Sequence, residues 1–119
     1  MNTTRATEIA TSYFTAWSSG DTDTAASYLV DDVVISAPSG EFHGHDGFHR
    51  FMDRFVTMLT GVSGFTAYGD DSTAVLWYET HLTPVPTLPA GERITVDGDR
   101  ITRIDITFDR LPMTQAATS

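Results

Sequence analysis

The segment Val75-Leu76-Trp77-Tyr78-Glu79-Thr80-His81-Leu82 joins the β-branched and aromatic residues of a buried strand to two titratable ones. Side chains alternate between the faces of a strand, so Val75, Trp77, Glu79 and His81 share one face. An imidazole changes charge near neutral pH and can both remove and return a proton, and a carboxylate two positions away can orient it or raise its pKa. Enclosed in an apolar pocket, Glu79 would itself be a raised-pKa acid or a poised base, because an unpaired carboxylate is costly to bury. The opposite orientation is also open to this strand. Ala74, Leu76, Tyr78 and Leu82 make a second, largely apolar face, and burying that one leaves Glu79 and His81 in solvent.

The rest of the sequence restricts the chemistry further. The chain contains no cysteine and no lysine, which removes a thiolate nucleophile, a disulfide, a thiolate metal site and a side-chain Schiff base. Catalysis therefore falls to Asp, Glu, His, Tyr, Ser or Thr. A net charge of −9 without a basic stripe argues against nucleic acid as a partner. Tyr13 and Trp17, one helical turn apart, would both point at a sheet, where Tyr13 is either a hydrogen-bond donor to a substrate oxygen or core packing. His43, His45, His49 and Asp46 invite a metal reading through the i, i+4 pair His45 and His49. The segment 39–47 reads instead as a loop entering a helix, with Asp46 as a favourable first-turn charge, and no metal is expected. No phosphate-binding glycine loop, G-x-S-x-G elbow or H-E-x-x-H helix is present. The pairs Asp31–Asp32 and Asp70–Asp71 fall at turns and read as solvated.

The elements that must position these groups follow from periodicity. Ala6, Ile9, Ala10, Tyr13 and Trp17 define a first helix over 4–19, stopped by Gly20. Residues 21–29 give a short second helix capped by Asp21 or Thr22, and 31–38 a turn followed by a strand that Pro38 ends. Phe48, Phe51, Met52, Phe55, Val56 and Leu59 define an amphipathic helix over roughly 46–60. Two strands follow, joined at Gly69–Asp71. The segment 83–91 is too rich in proline for a central strand and reads as an irregular loop or edge. The Asp97–Gly98 pair between β-branched runs predicts a closing hairpin, which places Ile104, Ile106 and Phe108 on one apolar face. The whole is one α+β domain over residues 1–119, with 112–119 a frayed tail. Lacking a basic-then-apolar leader or a membrane-length apolar run, it reads as cytoplasmic, with no membrane association.

The succession of "SYFTAWSSGD", "YLVDDVVISAPSG", "GHDGFHRFM" and "DGDRITRIDITFDRL" resembles the nuclear-transport-factor-2-like superfamily over residues 6–110, and more closely its SnoaL-like polyketide cyclases and ketosteroid isomerases. The resemblance implies a cone-shaped fold, with three N-terminal helices packed on a curved, mainly antiparallel sheet around one deep apolar pocket. It also implies a homodimer through the convex face. It places Tyr13 at the family's oxyanion-stabilising tyrosine and Glu92 near its protonated carboxylic acid, whereas Ala37 stands where the isomerases have their proton-abstracting aspartate. It puts Ile35, Ala37, Val75, Trp77, Glu79, His81, Ile94, Val96, Ile104, Ile106 and Phe108 on the concave face.

Together these readings favour a cofactor-free enzyme performing isomerisation, cyclisation or dehydration on a hydrophobic, oxygenated small molecule. His81, Glu79 and Tyr13 would be catalytic, and Trp17, Ile35, Trp77, Glu92, Ile104, Ile106 and Phe108 would bind substrate. A non-catalytic ligand-binding or dimerisation module on the same fold is the alternative, and the loss of the aspartate at Ala37 favours it.

Overall fold

The computed structural model describes residues 4–83 and 85–111. In chain order it runs α1 (Arg5–Ser18), α2 (Thr22–Ala26), β1 (Leu29–Ala37), β2 (Gly40–His43), α3 (Gly44–Met58), β3 (Leu59–Gly69), β4 (Thr73–Leu82), β5 (Leu88–Asp97) and β6 (Arg100–Phe108). The frayed tail expected at 112–119 lies outside the described residues. Two helices precede the sheet and the third is inserted after β2, so the helices are not one N-terminal block.

Local sequence explains the boundaries. At the end of α1 the Gly20 N–H donates to the Trp17 carbonyl and the Asp21 N–H to the Ala16 carbonyl. Those bonds need a left-handed residue, which Gly20 supplies with φ of 91°. Asp21 then caps α2 by accepting from the Thr24 N–H and hydroxyl. The final hairpin turns through Gly98 and Asp99, with Asp97 paired to Arg100, and Gly98 provides the positive φ such a tight turn requires.

The six strands form one sheet in the order β2-β1-β6-β5-β4-β3. All neighbours are antiparallel except β1 and β6, which run parallel. The helices pack on one face, and the core between them holds Tyr13, Trp17, Phe48, Leu76, Ile94 and Ile104.

Three expectations need correction. Residues 40–43 are not loop but strand β2, folded back on β1 with Ile35 opposite Phe42. Residues 88–91, assigned to an irregular segment, begin the central strand β5. Pro89 is tolerated there because β6 pairs with β5 only from Ala90 onward, so its missing N–H interrupts no ladder on that side.

The third correction concerns the side chains proposed for the pocket. Strand β4 faces the other way: Ala74, Leu76, Tyr78, Thr80 and Leu82 are buried, while Trp77 is 52% and Val75 49% exposed. Trp77, Glu79 and His81 therefore lie on the outer face of the sheet, away from the helices. The register fixes this, because Ala74 pairs with Ile94 and Leu76 with Glu92, and paired residues share a face. Val75 pairs with the exposed Arg93 on the other side.

Candidate active site

On the inner face, β4 and β5 set Tyr78 diagonally from Glu92, two residues along the ladder from the Leu76–Glu92 pair. The Tyr78 hydroxyl donates a hydrogen bond to Glu92 Oε2. Glu92 is 2% exposed and is the only buried carboxyl among the described residues. Its second oxygen, Oε1, has no hydrogen-bond partner among them, nor have the Tyr13 hydroxyl and the Trp17 indole N–H. Three buried polar atoms thus stand unsatisfied, one of them on this carboxyl, and each costs folding free energy.

The electrostatics follow from this enclosure. Loss of hydration disfavours the carboxylate and pushes the Glu92 pKa up to about 7, against the opposing effect of the Tyr78 hydrogen bond. Burial also holds the Tyr13 and Tyr78 phenols well above their ordinary value, and the Glu92 charge raises both further. Both tyrosines therefore keep their protons as donors while Glu92 exchanges its own near neutrality.

Beside Tyr78 lies a narrow apolar cleft whose free volume is about 20 Å³, the space of about one water molecule, so a larger ligand requires its aromatic wall to part. Tyr78 belongs to its wall, together with Trp17 from α1, Phe51 and Phe55 from α3, and Ile106 and Phe108 from β6. Trp17 packs edge-on against Phe55 at 6.0 Å and lies 5.6 Å from the Tyr78 ring, so the wall is largely aromatic. The one hydroxyl deep in the wall besides Tyr78, that of Thr80, is occupied by the Leu88 carbonyl at 2.8 Å.

The residues singled out in the sequence therefore separate. Trp17, Ile106 and Phe108 line the cleft, Glu92 meets it through its bond to the wall residue Tyr78, and Tyr13 is fully buried in the core and is not part of that wall. Ile35 and Ile104 are fully buried in the core, and Ala37 lies half-buried at the end of β1, where it offers no proton acceptor. Glu79, His81 and Trp77 are on the outside. His45 is engaged by the Leu29 carbonyl and His49 by Asp53, so neither ring is directed at a common centre. Tyr78 is the group that sequence reasoning assigned to the wrong face. Its signal was the alternation Ala74, Leu76, Tyr78, Thr80, Leu82, which competes with Val75 and Trp77 on equal terms.

A family model described as a SnoaL-like domain matches residues 10–106. The chain belongs to the SnoaL-like family. A crystal structure from Kribbella flavida is 42% identical, with a TM-score of 0.93, and the match covers 98% of this chain and 96% of that one. A candidate polyketide cyclase from Pseudomonas putida shares this SnoaL-like fold at 21% identity and a TM-score of 0.80, covering 97% and 98% of the two chains. TerC, crystallised with polyporic acid, does so at 18% identity and a TM-score of 0.80, covering 98% and 100%. Among curated proteins none matches the chain. No helix of this SnoaL-like domain among the described residues is long and apolar enough to cross a membrane.

Proposed function

We propose that this SnoaL-like domain is a cofactor-free acid–base enzyme acting on a hydrophobic, oxygenated small molecule held in the aromatic cleft. The observation that carries the reading is the Glu92 carboxyl, buried, hydrogen-bonded through one oxygen and free at the other, with a pKa of about 7. A proton carrier works best when its pKa lies near the working pH. Glu92 takes the role first given to His81 and Glu79. Its ionised Oε1 removes a proton from the carbon beside a substrate carbonyl, and the resulting enolate oxygen accepts a hydrogen bond from the Tyr13 hydroxyl. The same proton, now on Glu92, returns to another carbon in an isomerisation, or to the departing oxygen in a dehydration. Tyr78 holds the carboxyl in place throughout. Such donors are most effective where water is excluded, which the aromatic wall provides.

The alternative is a binding module that holds the ligand without reaction, favoured by the alanine at position 37 and by the narrowness of the cleft. One experiment separates the two. Enolisable polycyclic ketones and polyporic acid are incubated with the protein in heavy water, and deuterium uptake is read by mass spectrometry beside binding by thermal shift. Exchange that is lost in Glu92→Gln and reduced in Tyr13→Phe supports the enzyme. Binding without exchange supports the module. Exchange unaffected by Glu92→Gln removes Glu92 from the mechanism.

A further inference from the structure

A second group of reactive side chains lies on the outer face, at the β3–β4 edge of the sheet, and has no part in the acid–base proposal. Ser63 Oγ is 2.8 Å from His81 Nε2, and His81 Nδ1 is 2.9 Å from the Pro86 carbonyl oxygen. A carbonyl only accepts, so Nδ1 carries the ring proton, and Nε2 of the neutral imidazole is left to accept from the Ser63 hydroxyl. The ring is thus fixed in the tautomer that would take a proton from serine, with the backbone carbonyl of Pro86 as its orienting group.

The local sequence builds this arrangement. Gly61 stands opposite His81 in the β3–β4 ladder, so no side chain faces the imidazole directly and it leans along the diagonal to Ser63. Glu79 stands opposite Ser63, and the register breaks between Ser63 and Thr66. In that bulge Gly64 has φ of 66°, and a Cβ there would meet the Glu79 carboxylate at 3.2 Å. Ser63 precedes Gly64 directly and follows Gly61 by two residues, and it is exposed to an incoming molecule. The position is an outer strand, whose free edge carries backbone N–H groups without strand partners.

We propose that Ser63 and His81 form an acyl-accepting dyad, a site for activated esters separate from the cleft. Ser63 Oγ bonds to the ester carbonyl carbon while its proton passes to His81 Nε2. The bond from that carbon to the leaving oxygen breaks, and the leaving group takes the proton from His81. Water then attacks the acyl-serine with His81 again accepting the proton, the carboxylic acid departs, and Ser63 regains its hydrogen. Glu79 beside the serine disfavours anionic acyl donors, so the substrates are neutral or cationic esters.

The test uses the full chain with p-nitrophenyl acetate, and phenylmethanesulfonyl fluoride as a trapping reagent, with adducts located by peptide mass spectrometry. The chain has no lysine and no cysteine, so the usual competing side-chain acceptors are absent. An adduct at Ser63 is expected, lost in Ser63→Ala and formed on the order of 100-fold more slowly in His81→Gln, the usual contribution of a general base. Thermal melts establish that both surface variants remain folded, and Glu92→Gln is expected to label at the wild-type rate, which keeps this site distinct from the cleft. Modification at other residues, ester hydrolysis equal in Ser63→Ala and wild type, or labelling unaffected by His81→Gln would each overturn the dyad.

Discussion

Replacing Glu92 by glutamine gives the sharpest test of the buried carboxyl, because its sign depends on pH. In the unfolded chain this group has the ordinary value of 4.5, and in the fold it is raised to about 7. Between those values the folded state holds a proton that the unfolded state has released. Stability is therefore full below about pH 4.5, falls as pH rises towards 7, and does not recover above it. A difference of about 2.5 units at about 1.4 kcal/mol each amounts to roughly 3 kcal/mol, an order-of-magnitude figure. Glutamine keeps the acceptor for the Tyr78 hydroxyl and cannot ionise, so it escapes this loss. Urea and thermal unfolding of both proteins across about pH 5 to 9 should show curves close together at the acid end and separating towards neutrality. Above pH 8 the variant should be the more stable by about 3 kcal/mol, or roughly 10 °C in Tm. A stability difference that stays constant over the whole range would mean that Glu92 is already ionised in the fold and cannot exchange a proton near neutrality.

Tyr78→Phe removes the hydrogen bond that opposes burial, so the Glu92 pKa should rise further, as read by carbon-13 NMR of its carboxyl. Gly69→Ala should cost about 1–3 kcal/mol in urea unfolding, since a Cβ there would sit 2.3 Å from the Thr73 carbonyl oxygen. The half-exposed Trp77 beside the apolar groove over Gly91, with Arg93 and Asp105 on the same face, is proposed as the centre of a homodimer interface. Sedimentation should then give a dimer that Trp77→Arg converts to monomer; a monomeric wild type, or a dimer indifferent to the substitution, would rule that face out.

What could be read from the sequence depended on how one-sided each element is. α3 carries its apolar residues on one stripe and polar ones on the other, and α1 ends at a glycine, so both were plain from spacing. Asp97–Gly98 fixed the last hairpin, and with it the inner face of β6. β4 is different in kind. Its outer face carries Val75 and Trp77, its inner face carries the polar Tyr78 and Thr80, and an alternation of period two has no sign when both faces are mixed. Only the pairing with β5 decides between them, and that register passes through a proline-rich segment whose turn chemistry gives no count. The Tyr78–Glu92 contact depends on the same register. Glu92 could be suspected from family resemblance, but the partner that holds it could not.

The parallel pair between β1 and β6 has a consequence for synthesis on the ribosome. Leu29 is paired with Ile101, and the Ile101 N–H donates to the Tyr28 carbonyl at 2.7 Å, so the first strand made waits for the last. Until β6 emerges, β1 with β2 and β5 with β4 and β3 are two separate half-sheets, each exposing an edge that β6 alone fills. Nascent chains stalled before residue 100 should thus bind chaperones and be open to proteases along both edges, and β6 should close them in a single late event.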